Sequence, residues 1–181
     1  MKVELEIEAL NSHDRSRFSC GDERLDRFIQ AFARQNQKKG LSRTYVIAYE
    51  RCVVAFVSVS AGSIERATLP EAHRARVPNY PLPILRLSRM GVDVSWSGRG
   101  LGGKLVLHVC RLALEQLERT GCVGIVVDAK EGARGFYERF GFEQMSGLEL
   151  GMLEDTTPMF LDIRTVKQAW EAAQHNRPPN T

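Results

Sequence analysis

Residues 92–105 run Val-Asp-Val-Ser-Trp-Ser-Gly-Arg-Gly-Leu-Gly-Gly-Lys-Leu, and no other stretch constrains this chain as strongly. An extended, β-branched run enters a glycine-dense turn. A helix with apolar residues at Leu101, Leu105, Val109 and Leu112 leaves it. Glycine adopts left-handed backbone without a side-chain penalty, so such a turn can double back tightly. It then aims several backbone N–H groups, and the positive end of the helix dipole, at one point. The pattern predicts a seat for a phosphate or pyrophosphate.

Three kinds of phosphate loop come close to these letters. Gly98, Gly100 and Gly103 spell G-x-G-x-x-G, and Asp128 follows at roughly the spacing of a ribose-binding acid. In a dinucleotide fold, however, the first glycine follows its strand directly, whereas Ser95, Trp96 and Ser97 intervene here. The chain after Asp128 is also too short for the remaining βα units. Residues 98–104 also spell G-x-x-x-x-G-K, but Leu105 stands where a P-loop needs a hydroxyl for magnesium. The third kind is the pyrophosphate loop of the GNAT acetyltransferases, Gln/Arg-x-x-Gly-x-Gly/Ala. Gly100 and Gly102 resemble it, Arg99 and Lys104 add charge, and Ser97 departs from it at the first position. A second segment, Gly135-Phe136-Tyr137-Glu138-Arg139-Phe140-Gly141-Phe142, resembles the same family's Phe-Tyr-x-x-x-Gly-Phe signature.

Composition agrees with one enzyme domain. A chain of 181 residues, 43% of them hydrophobic, can bury one sizeable core. No apolar run approaches the ~20 residues of a membrane span. The charged start Met1-Lys2-Val3-Glu4 does not read as a signal peptide, so a cytoplasmic protein is expected. Cys20, Cys52, Cys110 and Cys122 lack metal-ligand spacing and read as reduced thiols, and the four histidines are equally scattered, so no metal is expected.

The periodicity predicts an α+β order. Residues 2–9 alternate as a half-buried strand. Leu25, Phe28, Ile29, Phe32 and Ala33 mark one helix face, opened by Asp22 and closed by Gly40. Residues 45–49 and 53–59 read as a hairpin about Glu50-Arg51. Residues 66–83 read as a proline-bearing loop and 84–94 as a strand. A helix over 99–118, a strand over 123–127 and a short helix bearing Ala133, Phe136, Tyr137 and Phe140 come next. A closing strand over 159–163, a terminal helix over 166–173 and a frayed tail over 176–181 complete the order. It is similar to the GNAT (acyl-CoA N-acyltransferase) fold, a mixed central sheet flanked by helices. One domain is expected over 1–165, with 166–181 as C-terminal helix and tail.

A narrower resemblance is to the GNAT-type toxins of bacterial toxin–antitoxin pairs. Phe18-x-Cys20-Gly21-x-x-x-Leu25-Asp26-x-Phe28, Arg43-Thr44-Tyr45-Val46, Tyr80-Pro81-x-Pro83, the run of residues 87–93 and Val126-Val127-Asp128-Ala129 carry it. The resemblance implies that acetyl-CoA is used to acetylate the amino group of an aminoacyl-tRNA, which blocks translation. It also implies neutralisation by a ribbon-helix-helix antitoxin, with a homodimer as a further expectation. Backbone groups of Met90, Gly91 and Val92 are expected to pair with the pantetheine arm like an added strand, and an N–H there to polarise the thioester carbonyl. N–H groups of Arg99, Gly100, Leu101, Gly102, Gly103 and Lys104 are expected to take the pyrophosphate. Tyr137 resembles the family's proton donor to the leaving sulfur, although it also lies on an apolar stripe. Lys130 replaces the family's usual Asn.

Net charge is only +3, yet cations gather in 24–43 and 66–89. Arg89, Arg86, Arg76, Lys38 and Lys39 are the expected tRNA contacts. Asp93 is expected to serve structure. Glu65 and His73 are both open as general bases, and an α-amine with a pKa near ~8 needs no strong one. A GNAT acting on a small amine or a protein N-terminus, and a non-catalytic CoA-binding domain, are the competing functions.

Overall fold

The computed structural model describes residues 5–146 and 155–175. In chain order the elements begin with β1 (Ile7–Ala9), α1 (Glu23–Arg27), a π-helical turn (Phe28–Phe32) and α2 (Ala33–Lys38). Next come β2 (Arg43–Tyr49), β3 (Cys52–Ile64), α3 (Glu71–Arg74), β4 (Leu82–Val92) and α4 (Leu101–Arg119). The chain continues with β5 (Gly124–Lys130), α5 (Arg134–Glu138), β6 (Glu143–Gln144), β7 (Thr156–Asp162) and α6 (Ile163–His175). The strands form a mixed seven-stranded sheet in the order β1-β2-β3-β4-β5-β7-β6, flanked by helices, as expected of the fold. Among the described residues no helix is long and apolar enough to cross a membrane.

Packing divides the chain into two compact units, the first comprising Met1–Ala61 and Leu87–Val109. In it β1 lies antiparallel to β2, with Ile7 opposite Ile47, and β2 antiparallel to β3. Residues 2–4 of the expected first strand fall outside the described residues. Glu50 and Arg51 have φ of 47° and 69°. Two consecutive left-handed residues make the kind of tight turn whose twist matches a hairpin. The Asp22 carboxylate accepts N–H bonds from Arg24 and Leu25, opening the first helix as expected. The expected helical face then breaks at Phe32. The π-helical turn slips the 3.6-residue repeat, leaving Phe32 40% exposed, while Phe28, Ile29 and Ala33 join Leu10, Phe18, Val46, Val53 and Phe56 in the core.

The second unit comprises Gly62–Arg86 and Cys110–Thr181. Its centre is β5, buried from Gly124 to Val127 and paired antiparallel with β7, Ile125 opposite Leu161. Gly124 is required by packing, because a Cβ there would collide with the Leu161 carbonyl and the Phe160 ring. The strand expected over 123–127 runs on to Lys130. The strand expected over 159–163 is Thr156–Asp162, and Ile163 already belongs to α6. The Asp162 carboxylate accepts the Arg164 N–H at 2.7 Å, which starts that helix earlier than its apolar spacing suggests. The expected loop over 66–83 is folded: it contains a short 3₁₀ turn and α3, and Leu82 opens β4. Leu69 and Leu82 pack with Ile64, Ile84, Val126, Met145 and Phe160, and Val77 lies against that cluster. The expected tail over 176–181 lies outside the described residues.

Candidate active site

In the first unit, β4 is tightly packed at Gly91, its next-to-last residue. A Cβ on Gly91 would lie 3.0 Å from the Phe56 ring and 3.3 Å from Cys20 Sγ, so the backbone there runs hard against the core. The strand stops sooner than the β-branched run predicts. Asp93 turns the chain into a single 3₁₀ turn, Val94–Trp96, because its carboxylate accepts from the Ser95 N–H (2.9 Å) and Ser95 hydroxyl and from the Ser19 N–H (3.0 Å). Burial alone would raise this carboxyl, but the bonds from Ser95 and Ser19 outweigh it and hold it below its ordinary 3.8. Asp93 is thus a capping group.

Gly98 and Gly100 follow, with φ of 74° and 76°. Nothing lies within 4 Å of where their Cβ atoms would be, so backbone conformation, not crowding, calls for glycine. Lys104 N–H donates to the Gly100 carbonyl at 3.2 Å, the first bond of α4. The N–H groups of Leu101, Gly102 and Gly103 therefore have no partner within the helix and face outward with its dipole. Leu101 and Leu105 are buried and anchor this first turn. Arg99, Gly100, Leu101, Gly102, Gly103 and Lys104 are thereby gathered at one helix start, where the N–H groups of Leu101, Gly102 and Gly103 make an open donor set that fits a pyrophosphate. The Arg99 guanidinium lies 4.5 Å from the centre of the Trp96 ring, and the Tyr49 ring lies 5.2 Å from Trp96. Sequence reasoning missed Tyr49 and Trp96; an aromatic three residues before the loop arginine is the faint signal.

In the second unit, α5 carries Tyr137 at 6% exposure, edge-on to Phe136 (5.1 Å) and Phe142 (5.4 Å). Burial pushes its phenol well above the ordinary value, so it holds its proton. Lys130 ends β5 and is exposed.

The expected tRNA contacts do not share one environment. Lys38, Lys39 and Arg76 are exposed. Arg89 is exposed too, but its guanidinium is held 4.4 Å from the Phe28 ring centre. Arg86 is half-buried and bound to Asp128 at 3.2 Å. The pair is partly open to solvent on both sides. Arg66 and Arg74 donate to the carbonyls of Arg74 and Leu69 and brace their own segment. His73 places Nε2 2.6 Å from Glu143 Oε2 and Nδ1 2.8 Å from Asp162 Oδ2. The second contact lacks hydrogen-bond alignment and acts by charge proximity. Between two carboxylates His73 serves as a clamp. Glu65 remains exposed. None of the four cysteines forms a disulfide, in line with the expected reduced thiols, and Cys110 and Cys122 are buried. Among the described residues no cluster of metal-binding side chains occurs.

Comparison with known proteins brings these features together. The acetyltransferase (GNAT) domain family matches residues 40–144. A tRNA-acetylating toxin of Mycobacterium tuberculosis is 34% identical over 134 residues, covering 74% of this chain and 80% of the toxin. The structure of AtaT complexed with acetyl-methionyl-tRNAfMet superposes with a TM-score of 0.81 at 26% identity, over 92% of this chain and 99% of that one. A tyrosine-to-phenylalanine mutant of AtaT, bound to the C-terminus of the antitoxin AtaR and acetyl-CoA, gives 0.76 at 25% identity over 92% and 98%.

Proposed function

The chain belongs to the acetyltransferase (GNAT) domain family, and on that premise we propose that it is a toxin that acetylates the amino group of aminoacyl-tRNA and so stops translation. The observation that carries the reading is the open donor set at the start of α4, in a chain 34% identical to a tRNA-acetylating toxin.

Acetyl-CoA supplies an activated acetyl group as a thioester. Loop N–H groups from Arg99 to Gly103, with the Lys104 side-chain charge, bind its pyrophosphate, and main-chain groups of Met90, Gly91 and Val92 align the pantetheine arm and polarise the carbonyl. The α-amine of the charged tRNA forms the new C–N bond as the C–S bond breaks. That amine titrates near ~8, so a reactive neutral fraction is present at cellular pH and solvent suffices to take its proton. Tyr137 gives its proton to the departing sulfur and regains one from water. A buried phenol is a weak acid, but a thiolate in similar surroundings is a stronger base.

Arg89, Arg86, Arg76, Lys38 and Lys39 meet the tRNA backbone, with Arg86 oriented by its ion pair to Asp128. The partner that silences the toxin is a ribbon-helix-helix antitoxin, the protein works as a homodimer, and its place of action is the cytoplasm, where charged tRNA is found. The test is translation in a cell-free extract with and without acetyl-CoA, followed by mass analysis of the tRNA acceptor ends. Acetyl-CoA-dependent arrest with acetylated aminoacyl ends is expected. Acetylation of polyamines or peptides with unmodified tRNA would overturn the substrate assignment.

A further inference from the structure

We infer that Trp96 is a positioning residue: it holds the Arg99 guanidinium in place so that the phosphate loop is set for an anion before one arrives. The inference rests on the reading that this loop binds the pyrophosphate of acetyl-CoA.

The loop's freedom is the starting point. Arg99 stands between Gly98 and Gly100, both left-handed and both uncrowded, so neither glycine is fixed by packing. Each glycine carries more conformational entropy than any other residue, which an unbraced loop would lose on binding. Upstream, the Asp93 cap fixes Val94–Trp96; downstream, buried Leu101 fixes the start of α4. The span between them has few ties. Ser97 N–H reaches the Val94 carbonyl at 3.4 Å, and Arg99 Nη2 reaches the Ser95 carbonyl at 3.5 Å, both long. The stack of Arg99 on Trp96, at 4.5 Å from the ring centre, is the well-formed side-chain contact of the span.

Trp96 is in turn placed by Tyr49, at the turn end of β2, with rings 5.2 Å apart and inclined at 46°. A column of Tyr49, Trp96 and Arg99 therefore runs from the β2–β3 hairpin to the loop. None of the three belongs to the buried core, and Tyr49 is 36% exposed. Core packing therefore does not account for two large aromatics here. A guanidinium laid on an indole spends its face on the ring and keeps its edge N–H donors for an anion. The stack therefore orders the loop and leaves its charge available.

Calorimetric titration of the full chain with acetyl-CoA tests this. Trp96→Ala is expected to weaken binding by about 3- to 10-fold, the worth of an exposed-to-partly-buried cation–π contact, with kcat unchanged. Trp96→Phe is expected to restore most of the affinity. Arg99→Lys, which keeps the charge but not the flat stack, is expected to weaken binding without altering Trp96. Because Trp96 acts through Arg99, the double variant W96A/R99A is expected to bind no more weakly than Arg99→Ala alone. Full additivity in the double variant, or wild-type affinity in both Trp96→Ala and Arg99→Lys, would overturn the inference and leave the cofactor reading intact. No acetyl-CoA binding by the wild type would overturn that reading and this inference with it.

Discussion

The glycine loop after β4 and the segment between β3 and β4 both leave the sheet, and they are held by opposite means. The loop is built from main-chain demands: two left-handed glycines, a capping aspartate and the unpaired N–H groups of a helix start. The segment over 66–81 is built from side-chain charges. Arg66 and Arg74 donate to its carbonyls at 2.8 and 2.9 Å, and His73 clamps it to Glu143 and Asp162. A backbone-built site loses little to a neutral change of surface side chain and much to a misplaced charge. A charge-built segment has the reverse sensitivity.

Gly100 offers the strongest way to break this contrast. Asp and Asn both tolerate left-handed backbone, and a side chain at Gly100 has open space. Gly100→Asn is expected to keep acetyl-CoA affinity within about 10-fold. Gly100→Asp is expected to weaken it by about 100-fold or more, because a carboxylate would enter the anion seat. Equal calorimetric affinities for the two would mean that no anion binds there.

Tyr137→Phe separates binding from chemistry. It keeps the ring between Phe136 and Phe142 and removes the proton that burial retains. Transfer measured with chemistry rate-limiting is expected to fall by about 100-fold, with acetyl-CoA affinity unchanged. Near-wild-type turnover would make Tyr137 a packing residue.

On the charge-built side, His73→Ala is expected to cost about 2 kcal/mol in urea unfolding, the range for a hydrogen bond to a charged group, and to leave acetyl-CoA affinity intact. A loss of affinity with no loss of stability would reverse the contrast.

The smallest effect is in acid. Burial raises the Asp162 carboxyl, but bonds from Arg164 and the charges of Arg164 and His73 bring it below its ordinary 3.8. A carboxyl depressed on folding stabilises fully above its unfolded value and loses that contribution as pH falls through the folded one. Wild-type stability is therefore expected to drop more steeply below about pH 4 than that of Asp162→Asn, and superimposable pH profiles would remove this group from the clamp.

Much of the chain was legible because its local rules agree with one another. The Asp22 cap, the Glu50-Arg51 turn and the buried run of β5 appear where composition and period place them. Two misreadings have clear causes. Asp93 bonds to Ser19, 74 residues away, and to Ser95, and this ends a strand whose letters favour extension. The π-helical turn rotates Phe32 out of a face that a regular helix would bury.

By itself the sequence determined where the backbone must turn and where a helix start leaves its N–H groups unbonded, since glycine conformation and helix polarity act within a few residues. Only the tertiary structure decided which charges are free to meet a partner. Arg86 and Asp128 are 42 residues apart, His73 and Glu143 are 70, and Arg89 rests on a ring from the first helical segment. Charge pairing is set by distance in space, and no local pattern records which distant residue a long side chain will reach.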